Sequence, residues 1–230
     1  MIDGILFDKD GTLFDFRKSW GGWARDFLAG IARDAAHSAA LAEAIGFIPQ
    51  ENSFHPQSPV IAATAEDIAE ALLPHLPGET GAALKARIDA AAARAEMIEA
   101  APLVPLLSGF RSRGIRLGVA TNDSEAPAKA QLGALGLTGH FDFIAGYDSG
   151  HGAKPGPGML LAFLRQHGLE PGRVAMVGDS LHDLEAARAA GMRRVAVLTG
   201  IATEADLAPH ADVVLPDIGA LPAWIGGLAA

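Results

Sequence analysis

The stretch Ile5-Leu6-Phe7-Asp8-Lys9-Asp10-Gly11-Thr12-Leu13 decides how this chain is read. The run Ile2 to Phe7 is apolar and long enough for one strand. Two carboxylates two residues apart follow it directly, with a glycine that permits a sharp turn. Alternation along an extended chain puts Asp8 and Asp10 on the same side. There they could share a divalent cation, or divide nucleophile and acid/base roles between them. Asp-x-Asp-Gly is also an ordinary solvated turn, so the remainder of the chain has to supply the partners.

Working outward, further apolar runs occur at Ile115 to Ala120, Phe141 to Ala145, Val174 to Val177 and Val195 to Leu198, with a shorter one at Asp212 to Leu215. Segments rich in Ala, Leu and Arg lie between them and suit helices. Strands apolar on both faces, alternating with helices, predict an α/β fold with a doubly wound, Rossmann-like parallel sheet. In such sheets the chemistry collects at the carboxyl ends of the strands. The stretch from 16 to 100 has no comparable strand. Helix candidates run over Ser19 to Ala36, Ala65 to Leu73 and Thr80 to Glu99, and Phe47 to Pro59, with Pro49, Pro56 and Pro59, reads as an irregular loop. The predicted division is a core of residues 1–15 and 101–230 with a helical domain of residues 16–100 inserted in it. Pro102 and Pro105 mark the return to the core.

The chain has 230 residues and a formal charge of -9, from 27 acidic residues against 18 Lys and Arg, and half of its residues are hydrophobic. It can bury a core, and it carries no basic run that would suit a nucleic-acid backbone. With no cysteine there is no disulfide framework, no thiolate nucleophile and no Cys-ligated zinc. Met1-Ile2-Asp3-Gly4 does not open a basic-then-apolar leader, and the apolar runs fall short of the roughly 20 residues a membrane helix needs. A cytoplasmic protein that binds neither membrane nor nucleic acid is expected.

Three more segments carry chemistry. In Val177-Gly178-Asp179-Ser180-Leu181-His182-Asp183 a strand ends and a helix begins, so Asp179 and Asp183 can lean toward one point as hard oxygen ligands for Mg²⁺. Each is also an ordinary residue for a helix start. His182 points elsewhere on helical geometry. In Val119-Ala120-Thr121-Asn122-Asp123 a hydroxyl and backbone amides follow a strand and could hydrogen-bond an anion. Lys154, in Gly152-Ala153-Lys154-Pro155, is one of five lysines against 13 arginines, and could act as a point charge that arginine would not replace.

Taken in order, these segments resemble the haloacid dehalogenase superfamily. Asp8 to Leu13 looks like its first motif, Thr121 its second, Lys154 its third and Gly178 to Asp183 its fourth. The resemblance implies that Asp8 is the nucleophile, becoming an aspartyl phosphate, and that Asp10 is the acid/base group. It also implies that Thr121, Asn122 and Lys154 hold the phosphoryl group. Mg²⁺ would be held by Asp8, Asp179, the backbone carbonyl of Asp10 and, directly or through water, Asp183. The dehalogenase branch lacks the second aspartate and uses no metal, so the implied activity is a phosphatase acting on a small phosphorylated metabolite. The layout, and the ending Val213 to Ile218 and Leu221-Pro222, look most like the phosphoglycolate phosphatase group.

Residues 16–100 fall where this family places a cap that closes over the site. Arg17 and Lys18 are candidates to meet a second anionic group on the substrate, and Ser53, His55 and Gln57 a specificity surface. Trp20 and Trp23 suit packing. Lys9 is expected to point away from the site. Two rivals share these motifs in part. One is a phosphomutase of the β-phosphoglucomutase kind. The other is a phosphoacceptor signalling module, which needs neither the insertion nor an acid/base Asp10.

Overall fold

The computed structural model describes residues 2–228. In chain order the elements are β1 (Gly4–Phe7), α1 (Phe16–Ile31), α2 (Ala35–Ala44), β2 (Phe47–Ile48), β3 (Ser53–Phe54), α3 (Pro59–Ala62), α4 (Ala65–Leu72), α5 (Gly81–Ala92), α6 (Leu103–Ser112), β4 (Arg116–Ala120), α7 (Glu125–Ala134), β5 (Phe143–Ala145), α8 (Gly158–His167), β6 (Val174–Gly178), α9 (Leu181–Ala190), β7 (Arg193–Val197), α10 (Glu204–Leu207), β8 (Val213–Leu215) and α11 (Leu221–Gly227).

Six strands form one sheet in the order β5-β4-β1-β6-β7-β8, and every pairing is parallel. β1 lies between β4 and β6, with Phe7 level with Val119 on one side and Val177 on the other. The strand order reverses there, so the chain leaving β1, β4 and β6 opens a crevice at their carboxyl ends. Ile5, Leu6 and Phe7 are fully buried, as a central strand covered by helices on both faces requires. Gly118 on β4 is needed for that cover, because a Cβ there would come within 2.7 Å of Leu6 and 3.0 Å of Phe163.

The six strands expected from the apolar runs are all present, each within two residues of its predicted ends. The single helix predicted over Ser19 to Ala36 is instead two. Asp34, extended at φ -159°, caps α2 by accepting from the His37 amide, so α1 ends at Ile31 and a new helix starts. The helix predicted over Thr80 to Glu99 stops at Ala92. The segment read as an irregular loop contains a short antiparallel pair, β2 and β3, and the start of α3, where Ser58 caps Val60. Two-residue strands leave no alternation to read from sequence.

Candidate active site

Asp8 follows β1 directly, and its amide donates to the Val177 carbonyl at 2.8 Å, which extends the sheet by one residue into the crevice. Thr121 and Asn122 follow β4, Asp179 follows β6, and Asp183 lies in the first turn of α9. Lys154 reaches in from the loop between β5 and α8. Its Nζ is 2.7 Å from Asp8 Oδ1 and 2.6 Å from Asp183 Oδ1. Asp8, Asp179 and Asp183 are buried, and an oxygen from each lies within 4.8 Å of the others. Five expected site residues, Asp8, Thr121, Lys154, Asp179 and Asp183, thus gather at the carboxyl ends of β1, β4 and β6, with Asp10 beside them.

Three buried carboxylates against one ammonium leave negative charge uncompensated. Burial raises Asp8 to about 7; Lys154 opposes the rise, while Asp183 and Asp10 add to it. Burial, reinforced by Asp8 and Asp183, pushes Asp179 well above the usual carboxylate range. Burial alone would lower Lys154, but the carboxylates of Asp183 and Asp8 outweigh it and hold the ammonium above its ordinary value. The carboxylates are not equivalent. Asp183 Oδ2 accepts from the amide and hydroxyl of Ser180 at 3.1 and 2.7 Å, and its Oδ1 from Lys154. Asp179 Oδ2 is buried with no partner. A buried acceptor of that kind, beside two more carboxylates, fits a hard divalent cation of the Mg²⁺ type.

Glycines bring the walls close enough. Gly11 turns the chain at φ 81°, and a Cβ on it would come within 2.4 Å of the Asp179 carboxylate. The Thr12 hydroxyl donates to Oδ1 of that carboxylate, at 3.4 Å.

Asn122 was expected to bind substrate, but its side chain is otherwise engaged. Oδ1 accepts from the Lys154 amide at 2.8 Å, and Nδ2 donates to the carbonyls of Lys154 and Ala62 at 2.9 and 2.8 Å. It fixes the backbone that carries the ammonium. Thr121 Oγ1 accepts from the Asp123 amide at 3.0 Å, which fixes the β4 turn.

Lys9 does not point away. Its side chain is fully buried, with Nζ 2.7 Å from Asp10, 2.6 Å from Gln131 Oε1 and 3.2 Å from Asp123 Oδ2. Asp10 and Asp123 overcome the lowering effect of burial and keep it an ammonium. Asp10 also accepts from the indole of Trp20 at 2.8 Å, and that ring lies under Lys9 Nζ, 5.2 Å from its centroid. Trp20 therefore does more than pack. Strand alternation says nothing about where the end of a four-carbon side chain goes. Spacing carries no signal for Gln131 or Trp20, whose contacts are set by the tertiary fold.

A small pocket, open at its mouth, is lined by Asp8 and its neighbours. Asp8, Asp10, Thr121, Asn122, Asp123, Lys154, Ser180 and His182 form its polar side, so His182 faces the site, contrary to expectation. Its other wall comes from α1 and α3 to α5. Arg17, Lys18, Ser53, His55 and Gln57 do not line it.

A family model described as haloacid dehalogenase-like hydrolase matches residues 2–191. The chain belongs to that family. A phosphoglycolate phosphatase 1 from Pseudomonas aeruginosa is 31% identical to this hydrolase over 93% of its chain and 82% of the relative. A phosphoglycolate phosphatase from Rhodospirillum rubrum is 40% identical, over 53% of this hydrolase and 50% of the relative, so that match spans only about half of either chain. Among solved structures, CbbY from Rhodobacter sphaeroides in complex with phosphate superposes with a TM-score of 0.69 at 25% identity, over 96% of both chains. The family match spans all four motif segments. No described helix is long and apolar enough to cross a membrane.

Proposed function

We propose that this hydrolase is a Mg²⁺-dependent phosphomonoesterase that works through a phosphorylated Asp8. A carboxylate oxygen of Asp8 attacks phosphorus, and the ester P–O bond breaks as Asp10 gives a proton to the departing alkoxide. Water then attacks the acyl phosphate, Asp10 takes a proton from it, and inorganic phosphate leaves with Asp8 restored.

The chain's own residues divide the remaining tasks. Lys154 neutralises Asp8 and a developing phosphoryl oxygen, and Thr121 with the amides after β4 supplies neutral donors. Such preorganised groups are typically worth about 3 to 4 kcal/mol each at a transition state. Asp8, Asp179 and the backbone of Asp10, with Asp183 beside them, would hold Mg²⁺. The ion supplies the positive charge that lets a phosphate dianion approach these carboxylates. Residues 16–100 serve as a cap that shields the reacting group from water, and the substrate is a small phosphorylated metabolite.

One observation carries this reading: a buried lysine bridges two aspartates of the strand-end cluster while a third aspartate keeps an oxygen without a partner. With a chromogenic phosphomonoester and Mg²⁺, Asp8→Asn is expected to abolish turnover with an unchanged circular dichroism spectrum. Retained turnover overturns the assignment.

A further inference from the structure

The cap wall of the cavity carries no positive charge. Trp20, Trp23, Val60, Ile61, Ile68 and Ile88 make up most of it, and alanines fill the gaps. Among the residues that line the cavity the only Lys or Arg is Lys154, and its ammonium is already shared between Asp8 and Asp183. Lys9 is fully buried behind Asp10 and is not a lining residue. Lys18 is 66% exposed and paired with Asp15 at 2.9 Å. Lys85 is held by Asp89 and Ser124 outside the cavity. On the polar side, Asp10 and Asp123 both line the cavity and share one ammonium, that of Lys9.

A substrate with a second carboxylate or phosphate would place that group against hydrophobic side chains and two aspartates. An ion moved from water to such a place without a partner is strongly disfavoured. An apolar group there gains by leaving water. Trp23 and His182 add polar atoms that could orient such a substrate. The indole N–H of Trp23 is buried and has no partner. His182 Nδ1 lies 3.1 Å from the Ala62 carbonyl and donates there, which leaves Nε2 to meet a hydroxyl.

We infer that the substrate is the monophosphate ester of an uncharged, predominantly apolar alcohol, and that phosphoglycolate, the substrate named for several relatives, is a poor one. This inference rests on the phosphomonoesterase reading above.

Isobutyl phosphate provides the test, because it has the shape of 2-phosphoglycolate with two methyl groups in place of the carboxylate oxygens. With the wild-type protein and Mg²⁺, kcat/KM for isobutyl and benzyl phosphate is expected to exceed that for phosphoglycolate by about tenfold or more. Ile61→Lys, which adds an ammonium to a half-buried position on the wall, is expected to shrink or invert that ratio. Equal or better use of phosphoglycolate by the wild type overturns the inference and leaves the esterase reading standing. An unchanged ratio in a folded Ile61→Lys protein likewise overturns it. Absence of turnover with every ester, a chromogenic one included, overturns the esterase reading and this inference with it.

Discussion

Lys9 and Asp10, neighbours in sequence, form a partly buried ion pair at 2.7 Å in which the side chain between two catalytic-type aspartates folds back onto the second. With Trp20 Nε1 on the same carboxylate, two donors from different directions define where Asp10 sits. A group that passes a proton to a leaving oxygen has to be placed within hydrogen-bond reach of it. Lys9 is in turn held by Gln131, whose Nε2 donates to the Ala92 carbonyl at the end of α5.

Lys9→Met is expected to cost about 1 to 3 kcal/mol of stability, because the largely buried Asp10 and Asp123 lose their cation. Urea denaturation measures this. Trp20→Phe keeps an aromatic side chain but removes the N–H together with the five-membered ring of the indole, so its expected effect is a lower kcat with a smaller loss of stability than Lys9→Met. If Lys9→Met proves as stable as the wild type, the pair has no structural role.

Mg²⁺ is expected to raise the melting temperature more at about pH 8 than at about pH 5.5. The Asp8 carboxyl lies at about 7 in the metal-free fold against an ordinary 3.8. A raised carboxyl means that the folded state binds more protons than the unfolded one between those values, so the metal-free fold loses stability as pH rises through that window. The cation needs the ionised form, so its stabilisation grows over the same window. Equal shifts at both pH values in calorimetry would count against Asp8 as a ligand.

Gly11→Ala is expected to weaken Mg²⁺ binding and to destabilise the fold. Positive φ costs a non-glycine residue about 1 to 2 kcal/mol, and the added methyl would displace the Asp179 carboxylate. Titration of Mg²⁺ followed by melting temperature separates the two effects.

Lys154→Met should lower kcat by about 100- to 1,000-fold, the usual loss for one preorganised donor. Asn122→Ala should cost less, about tenfold, since it loosens the backbone that carries the ammonium and leaves the ammonium in place. Steady-state kinetics on both variants tests this order, and a larger loss in Asn122→Ala would contradict it.

The sheet was legible because each strand contains a compact apolar run, and β1 leads straight into Asp8 with no intervening loop. Asp8, Asp179 and Lys154 were legible from their order along the chain. The division of α1 from α2 was not, because it depends on one Asp34 cap inside a continuous Ala-rich pattern. Nor were the roles of Lys9, Trp20, Asn122 and His182. Each is decided by a partner more than nine residues away or by the reach of a long side chain, and neither follows from strand or helix periodicity. The cavity wall at residues 60–63 was likewise hidden, since α3 is only one turn long.

The Ala62 carbonyl accepts both from Asn122 Nδ2 and from His182 Nδ1. Because the acceptor belongs to the main chain, this double tether does not depend on the side chain at position 62, a residue that lines the cavity. Selectivity can thus be reshaped at that spot without loosening the fastening, and position 62 is a natural place to diversify when new specificities are sought.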